Sequence, residues 1–177
     1  MTQRQEFRVI EMHSGFEVRE YLPCVIAEIK ISANYSSATS TAFSHLIRYI
    51  SKGNRTEEKI AMTAPVIATQ KATKTDDNEW FVSFVMPSGS KFGHLPDPSD
   101  PRVVLRELES ETCIASSFRG RATEELSSKK IKELRKAAAL ANLALSDETR
   151  ICRFDPPFKP GILQYNEIVI PIYLPVT

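Results

Sequence analysis

The chain has 177 residues, of which 23 are basic and 22 are acidic, so its formal net charge is only +1. Its apolar content of 42% and charged content of 25% are typical of a soluble globular protein, and its length suits one substantial core better than two domains. So small a net charge excludes a global basic field for nucleic acid or anionic lipid, and any bound anion must meet a local group.

Short alternating segments predict strands at the start of the chain. Residues Phe7 to Ile10 and Phe16 to Leu22 fit two strands joined by a turn at Ser14-Gly15. From Val25 to Ile31, apolar residues alternate with polar ones, which predicts a third strand with one buried face.

A helix is predicted from about Ser37 to Ile50, with Ser36 or Ser37 as its N-cap and Gly53-Asn54 as its stop. Its apolar stripe follows the three-and-four spacing of a buried helix face. The stripe consists of Phe43, Leu46, Ile47 and Ile50.

The segment from Lys59 to Thr69 alternates like a strand, and Pro65 places that strand at a sheet edge or a bulge. Its apolar face includes Met62, which is therefore expected in the core. A polar loop from Lys71 to Glu79 leads to a strand from Trp80 to Met86, and the proline-rich stretch from Pro87 to Pro101 predicts an extended loop.

The second half of the chain repeats this order of elements. Val103 to Arg119 predicts two strands, Thr123 caps a second helix, and strands follow at Arg150 to Phe154 and Glu167 to Ile172. Val-Arg-Glu-Tyr at 18–21 and Leu-Arg-Glu-Leu at 105–108 occupy matching places, so internal repeats are expected at about 16–86 and 103–172.

These elements predict an α+β fold that forms a single domain over 1–177. We expect a distorted antiparallel β-barrel of about eight or nine strands, built from two tandem pseudo-symmetric repeats and flanked by two α-helices.

The cysteines Cys24, Cys113 and Cys152 are widely spaced, which argues against a zinc knuckle or redox motif and favours reduced thiols in a cytoplasmic protein. The first residues lack the apolar stretch of a secretory signal, and no run approaches the roughly 18 apolar residues of a membrane helix. We therefore expect a cytoplasmic protein without a membrane span or a nucleic-acid partner.

Catalytic motifs are not apparent. The three histidines have no metal-ligand spacing, and no P-loop, dinucleotide fingerprint or hydrolase elbow occurs. Glu20 and Glu107 each adjoin an arginine, so ion pairing is their expected role. The residues favour a binding protein over an enzyme and assign no metal ligand.

One surface of the first helix is a candidate ligand-binding surface. Ile47 widens the apolar arc beyond what packing requires, and Arg48 lies beside it. An apolar shelf edged by a cation suits a flat hydrophobic molecule with carboxylates. The alternative is that Ile47 belongs to the core and Arg48 faces solvent.

Several motifs together resemble the SOUL family of haem-binding proteins. The most specific is the segment from Lys59 to Val66, Lys-Ile-Ala-Met-Thr-Ala-Pro-Val, after the helix end Tyr49-Ile50. Phe-Glu-Val-Arg-Glu-Tyr at 16–21, Phe-Asp-Pro-Pro at 154–157 and Asn-Glu-Ile at 166–168 follow in family order.

The resemblance implies a barrel of this kind and non-covalent binding of haem or another porphyrin. It implies that Phe43 and Ile47 pack on the macrocycle, and that Arg48 and Lys159 pair with the propionates. Some family members carry a histidine, proposed as an axial iron ligand, where this chain has Glu20. His45 is then the candidate substitute ligand.

Three functions stay open at this stage. The first is an intracellular carrier or buffer of haem. The second is a haem-modifying enzyme that removes iron or opens the ring, with Glu20 as the proton donor. The third is a binding module for other flat hydrophobic ligands, similar to effector-binding domains that take cationic drugs.

Overall fold

The computed structural model describes residues 2–71 and 78–174, so the predicted loop from Lys71 to Glu79 lies mostly outside the described residues. In chain order its elements are β1 (Gln3–Arg4), β2 (Phe7–His13), β3 (Phe16–Tyr21), β4 (Cys24–Ser32), α1 (Tyr35–Ile50), β5 (Thr63–Ala64), β6 (Val66–Lys71), β7 (Glu79–Val85), β8 (Val104–Leu108), β9 (Glu111–Arg119), α2 (Glu124–Leu140), β10 (Glu148–Arg153) and β11 (Tyr165–Pro171). Two short 3₁₀ turns occur at Phe92–His94 and Gly161–Leu163.

Nine of these strands form one curled antiparallel sheet in the order β2-β3-β9-β11-β10-β6-β7-β4-β8. The remaining two, β1 and β5, form a short parallel pair. The predicted α+β fold with a distorted, half-barrel sheet and two helices is confirmed.

Apart from β2 at one edge, the strand order is symmetric about the β10–β6 pair. β3 of the first half pairs with β9 of the second, and β8 of the second half pairs with β4 of the first. The registers agree, because Arg19 lies opposite Cys113 and Arg106 lies opposite Ile26 at corresponding places. The repeated order of elements seen in the sequence thus builds a sheet with pseudo-twofold symmetry.

Both helices pack on the same face of the sheet. Alternation along β4 directs Ala27 and Ile29 into the large core that also contains residues of α1 and α2. Ile26 points to the opposite face and joins a smaller cluster made of strand and loop residues. In the larger core, Leu46 and Tyr49 of α1 are fully buried, and the Tyr49 hydroxyl donates to the Pro96 carbonyl at 2.8 Å.

The ends of the helices have specific caps. α1 begins two residues before the predicted start, because Asn34 rather than Ser36 or Ser37 is its N-cap and accepts from the Ser37 amide at 2.9 Å. The predicted cap of α2 is confirmed: the Thr123 side chain accepts from the Leu126 amide.

The predicted stop of α1 is also observed. The Gly53 amide donates to the Arg48 carbonyl at 2.8 Å, and a Cβ on Gly53 would lie only 2.4 Å from that oxygen. The buried Asn54 amide group donates to the carbonyls of Tyr49 and Glu58. The bonds to Arg48 and Tyr49 satisfy carbonyls that the helix end would otherwise leave unpaired, and the bond to Glu58 ties the following loop to the helix end.

The predicted strand from Lys59 to Thr69 is wrong in its first half. Regular pairing begins at Thr63 and is interrupted at Pro65, which has no amide hydrogen for the ladder and follows a cis peptide bond. Met62 therefore precedes the strand and is 37% exposed, so the expectation that it belongs to the core is also wrong.

The three cysteines are free thiols, as the sequence predicts, and Cys113 and Cys152 are buried. Burial raises the pKa of Cys113 to about 12, which makes it a poor nucleophile at neutral pH. Within 2–71 and 78–174, no helix has the length and apolarity needed to cross a membrane.

Leu46→Ala tests the packing of α1 on the sheet. The side chain is fully buried, so its truncation should lower the free energy of unfolding by about 2–5 kcal/mol. Leu140→Ala is the matched control, since that leucine is 79% exposed and its loss should change stability by less than about 0.5 kcal/mol. Equal urea midpoints for the two variants would contradict this packing.

Candidate ligand-binding site

A cavity of about 540 Å³ opens between the flank of α1, the segment around β5 and the loop that follows β10. Three other concavities among the described residues have volumes of about 60, 210 and 80 Å³. Only the first of these four lies within the range of about 300–1,000 Å³ that is typical of small-molecule sites.

The helix wall of the cavity is apolar. Phe43 and Ile47 lie one helical turn apart and are half-buried, while Leu46 between them points into the core. The Phe43 ring meets the Phe84 ring edge-to-face, with centroids 5.6 Å apart, which fixes its orientation. The helix thus presents two oriented apolar side chains to the cavity.

Other elements add apolar side chains to the lining. They are Met62 and Val66, and Phe154, Pro156 and Pro157 of the loop after β10. Phe154 packs edge-to-face on Tyr165, with ring centroids 5.2 Å apart. Together with the helix, these side chains give the cavity an apolar surface suited to a flat hydrophobic ligand.

Two guanidinium groups, Arg121 and Arg153, also line the cavity. Arg121 is exposed and Arg153 is half-buried, and neither makes an ion pair with any described residue. Unpaired guanidinium groups beside an apolar cavity are well suited to bind carboxylates of a ligand.

The one carboxylate in the lining, Asp155, is already bonded within the loop. Its Oδ2 accepts from the Tyr165 amide at 2.7 Å, and its Oδ1 accepts from Lys159 Nζ at 2.9 Å. These two bonds lower the pKa of Asp155 below its ordinary value. Asp155 therefore anchors the loop and holds Lys159, which does not line the cavity.

The remaining predicted site residues of α1 lie outside the cavity lining. Arg48 is exposed and makes no ion pair with the described residues. His45 lies about 200° around the helix from both Phe43 and Ile47. Its Nδ1 is 2.9 Å from Asp100, whose hydrogen bonds with Arg102 lower its pKa to about 2.

The structure thus brings Phe43 and Ile47 together in the cavity and leaves Arg48, Lys159 and His45 outside its lining. The roles assigned to all five remain predictions. Three lining residues that sequence reasoning missed are Met62, Arg121 and Arg153. Arg153 had an available signal, since it directly precedes the Phe-Asp-Pro-Pro motif that carries part of the family resemblance.

Glu20, the proposed proton donor, does not line the cavity. It lies on β3, where it accepts hydrogen bonds from Arg8 and from Ser110 Oγ. The expected ion pair of Glu20 is confirmed, although its partner is Arg8 and not the adjacent Arg19. Glu107 is exposed and forms no ion pair with the described residues, so the same expectation for it is wrong. Across the described ranges, no group of three or more His, Cys, Asp or Glu side chains is arranged to hold a metal ion.

Comparison with known proteins identifies the family. A family model described as SOUL heme-binding protein matches residues 2–171. The chain belongs to the SOUL heme-binding protein family. Heme-binding protein 1 of Xenopus tropicalis is 25% identical over 148 residues, covering 82% of this chain and 78% of that protein. Human Heme-binding protein 2 is 29% identical over 109 residues, covering 60% of this chain and 53% of that protein.

Solved structures share the fold of this SOUL family member at low identity. The C-terminal domain of EcmrR superposes with a TM-score of 0.70 at 11% identity, covering 89% of this chain and 96% of that chain. A hydrolase from Listeria innocua superposes with a TM-score of 0.62 at 13% identity, covering 89% and 91%. At such identities the likeness shows the fold alone.

Asp155→Asn tests the anchoring of the loop. Because the folded-state pKa of Asp155 is lowered, its contribution to stability is present above the unfolded-state pKa of about 3.9 and is lost as the pH falls through the lowered value. The variant should therefore melt below the wild type at neutral pH, and the difference should shrink in acid.

The matched control for this prediction is Asp147→Asn, which replaces an exposed carboxylate that has no hydrogen bond or ion pair to the described residues. Its melting temperature should follow that of the wild type at each pH. A difference for Asp155→Asn that is constant with pH would contradict the role of its charge.

Proposed function

We propose that this protein binds haem or a related tetrapyrrole non-covalently in the cavity beside α1 and serves as an intracellular carrier or buffer. The observation that carries this proposal is the pairing of apolar walls with the unpaired guanidinium groups of Arg121 and Arg153. A haem macrocycle is flat and apolar and carries two propionates, so it needs both features. Membership of the SOUL family and the names of the relatives support the same ligand class.

We assign distinct roles to the residues of the site. Phe43, Ile47 and Met62 would contact the macrocycle, and Arg121 and Arg153 would pair with the propionates. Arg48 and Lys159 stay candidates for a propionate that extends beyond the lining residues. Bound haem would supply an iron centre whose reactivity depends on its axial ligands.

The lining offers little for iron coordination. Among its described residues, Met62 is the one side chain of the types that ligate haem iron, which are His, Cys, Met and Tyr. Binding by apolar contact and propionate pairing, without an imidazole from His45, is therefore our proposal. A carrier role fits weak or absent coordination, because the ligand must also be released.

We infer that residues 1–177 form one binding domain in the cytoplasm. The nine-stranded sheet, in which strands of both halves pair with each other, supports one domain. The three free thiols support a reducing compartment.

The two other functions predict different results with haemin. Ring opening or iron removal would make the haem absorbance decay, whereas a carrier should give a stable shift of the Soret band. A module for cationic ligands should prefer cationic dyes to haemin. The two unpaired arginines of the cavity disfavour this alternative, because they repel cationic ligands.

Ile47→Asp tests the apolar contact. A charge in this wall must lose hydration when the macrocycle covers it, so haemin affinity should fall by at least about tenfold in a Soret titration. Thr41→Asp is the control, since Thr41 is exposed on the same helix and does not line the cavity. Equal affinity of both variants would rule out this surface.

Arg121→Glu and Arg153→Glu test the pairing with propionates. Each reversal should weaken haemin binding by about tenfold, because attraction is replaced by repulsion. Haemin dimethyl ester, which lacks the free carboxylates, should bind all variants alike. Arg48→Glu and Lys159→Glu test the two predicted partners outside the lining. If they lower haemin affinity more than Arg121→Glu and Arg153→Glu, the propionates bind at Arg48 and Lys159 instead.

A further inference from the structure

The loop beside the cavity exposes large apolar side chains. Phe158 is 87% exposed, Ile162 is 82% exposed and Leu163 is 51% exposed. Phe158 directly follows Pro156 and Pro157, which line the cavity, and the other two lie a few residues further along the same loop. Single exposed apolar residues are common on protein surfaces, but three within six residues of one loop form a patch.

Hydrogen bonds within the loop hold this patch outward. The Lys159 amide donates to the Pro156 carbonyl at 3.1 Å, and the Leu163 amide donates to the Pro160 carbonyl at 2.9 Å. The buried Gln164 side chain donates to the Lys159 carbonyl at 3.0 Å. The exposure of Phe158 and Ile162 is therefore built into an ordered loop.

Basic side chains lie beside the patch. Arg119 Nη1 donates to the Leu163 carbonyl at 2.9 Å, and Arg121 lies against Gly161. Lys159 belongs to the loop itself and is paired with Asp155 at 2.9 Å. The three basic side chains outnumber this one carboxylate, so the loop region is locally cationic although the net charge of the whole chain is only +1.

We propose that residues 156–163, the apolar loop, dock the protein on an anionic lipid bilayer. Apolar side chains that enter the interface beside guanidinium and ammonium groups are the chemistry of peripheral membrane binding. A stable protein–protein interface needs about 1,000 Å² of complementary surface, which three side chains at a loop tip do not provide. A bilayer needs no complementary shape.

Docking through this loop would bring the mouth of the cavity to the membrane, because Pro156 and Pro157 adjoin both features. A hydrophobic ligand could then pass between the bilayer and the protein without crossing water. The inference goes beyond the proposed function, since lipid binding by the loop does not require a bound tetrapyrrole.

Sedimentation with vesicles, in the absence of haemin, tests the proposal. The full chain should bind vesicles of phosphatidylcholine mixed with phosphatidylserine. Its binding should be weaker to neutral phosphatidylcholine vesicles, and weaker to the anionic vesicles at high salt. Phe158→Ser and Ile162→Ser should each reduce binding by about tenfold. Leu140→Ser is the matched control, because Leu140 on α2 is 79% exposed and lies outside the loop, and this variant should bind like the wild type.

A fluorescent variant reports insertion directly. The single native tryptophan, Trp80, is buried, so the added indole of Phe158→Trp should shift to shorter wavelength when anionic vesicles are added.

Absence of vesicle binding, or an equal loss in Leu140→Ser, would overturn the proposal. So would a lipid-free dimer that Phe158→Ser abolishes, since the patch would then be a protein interface. A haemin titration in solution is a separate measurement, so failure of lipid binding and failure of haem binding are distinguishable.

Discussion

The packing of α1 on β4 and β7 is the constraint on which the site depends. Leu46 and Tyr49 are fully buried in that contact, and the spacing of the helix then turns Phe43 and Ile47 to its flank. No other element of the described structure covers that flank, so the two side chains become a wall of the cavity. The proposed binding surface is therefore a consequence of how the helix buries its other residues.

The arginines on the two faces of the sheet differ in their ion pairing. On the face away from the helices, Arg19 is buried against Glu167 at 2.7 Å, and Arg150 lies 2.8 Å from Glu111. In each of these pairs the two charges offset each other, which leaves little charge for a ligand. In the cavity, Arg121 and Arg153 have no carboxylate partner among the described residues, which is why we propose this face as the site for an anionic ligand.

Local pattern predicts much of the fold. Periodicity places both helices and most strands, Thr123 is the expected cap, and the repeated order of elements matches the symmetric sheet. Met62 was misplaced because alternation alone does not show where a strand begins, and Asn34 competes with two nearby serines as a cap.

The site was harder to predict for a different reason. Phe43 and Ile47 share one helix, so spacing relates them directly. Arg121 and Arg153 lie near the ends of β9 and β10. Both of these strands pair with β11, one on each side, and this shared neighbour brings the two arginines to the same edge of the sheet. That adjacency is a property of sheet order, which no local pattern in a single sequence contains.

The most direct test of the account is an experimental structure of the protein with haemin bound. We predict that the porphyrin lies against Phe43 and Ile47, with its propionates near Arg121 and Arg153. A porphyrin on the opposite face of the sheet, beside Arg19 and Glu167, would contradict it.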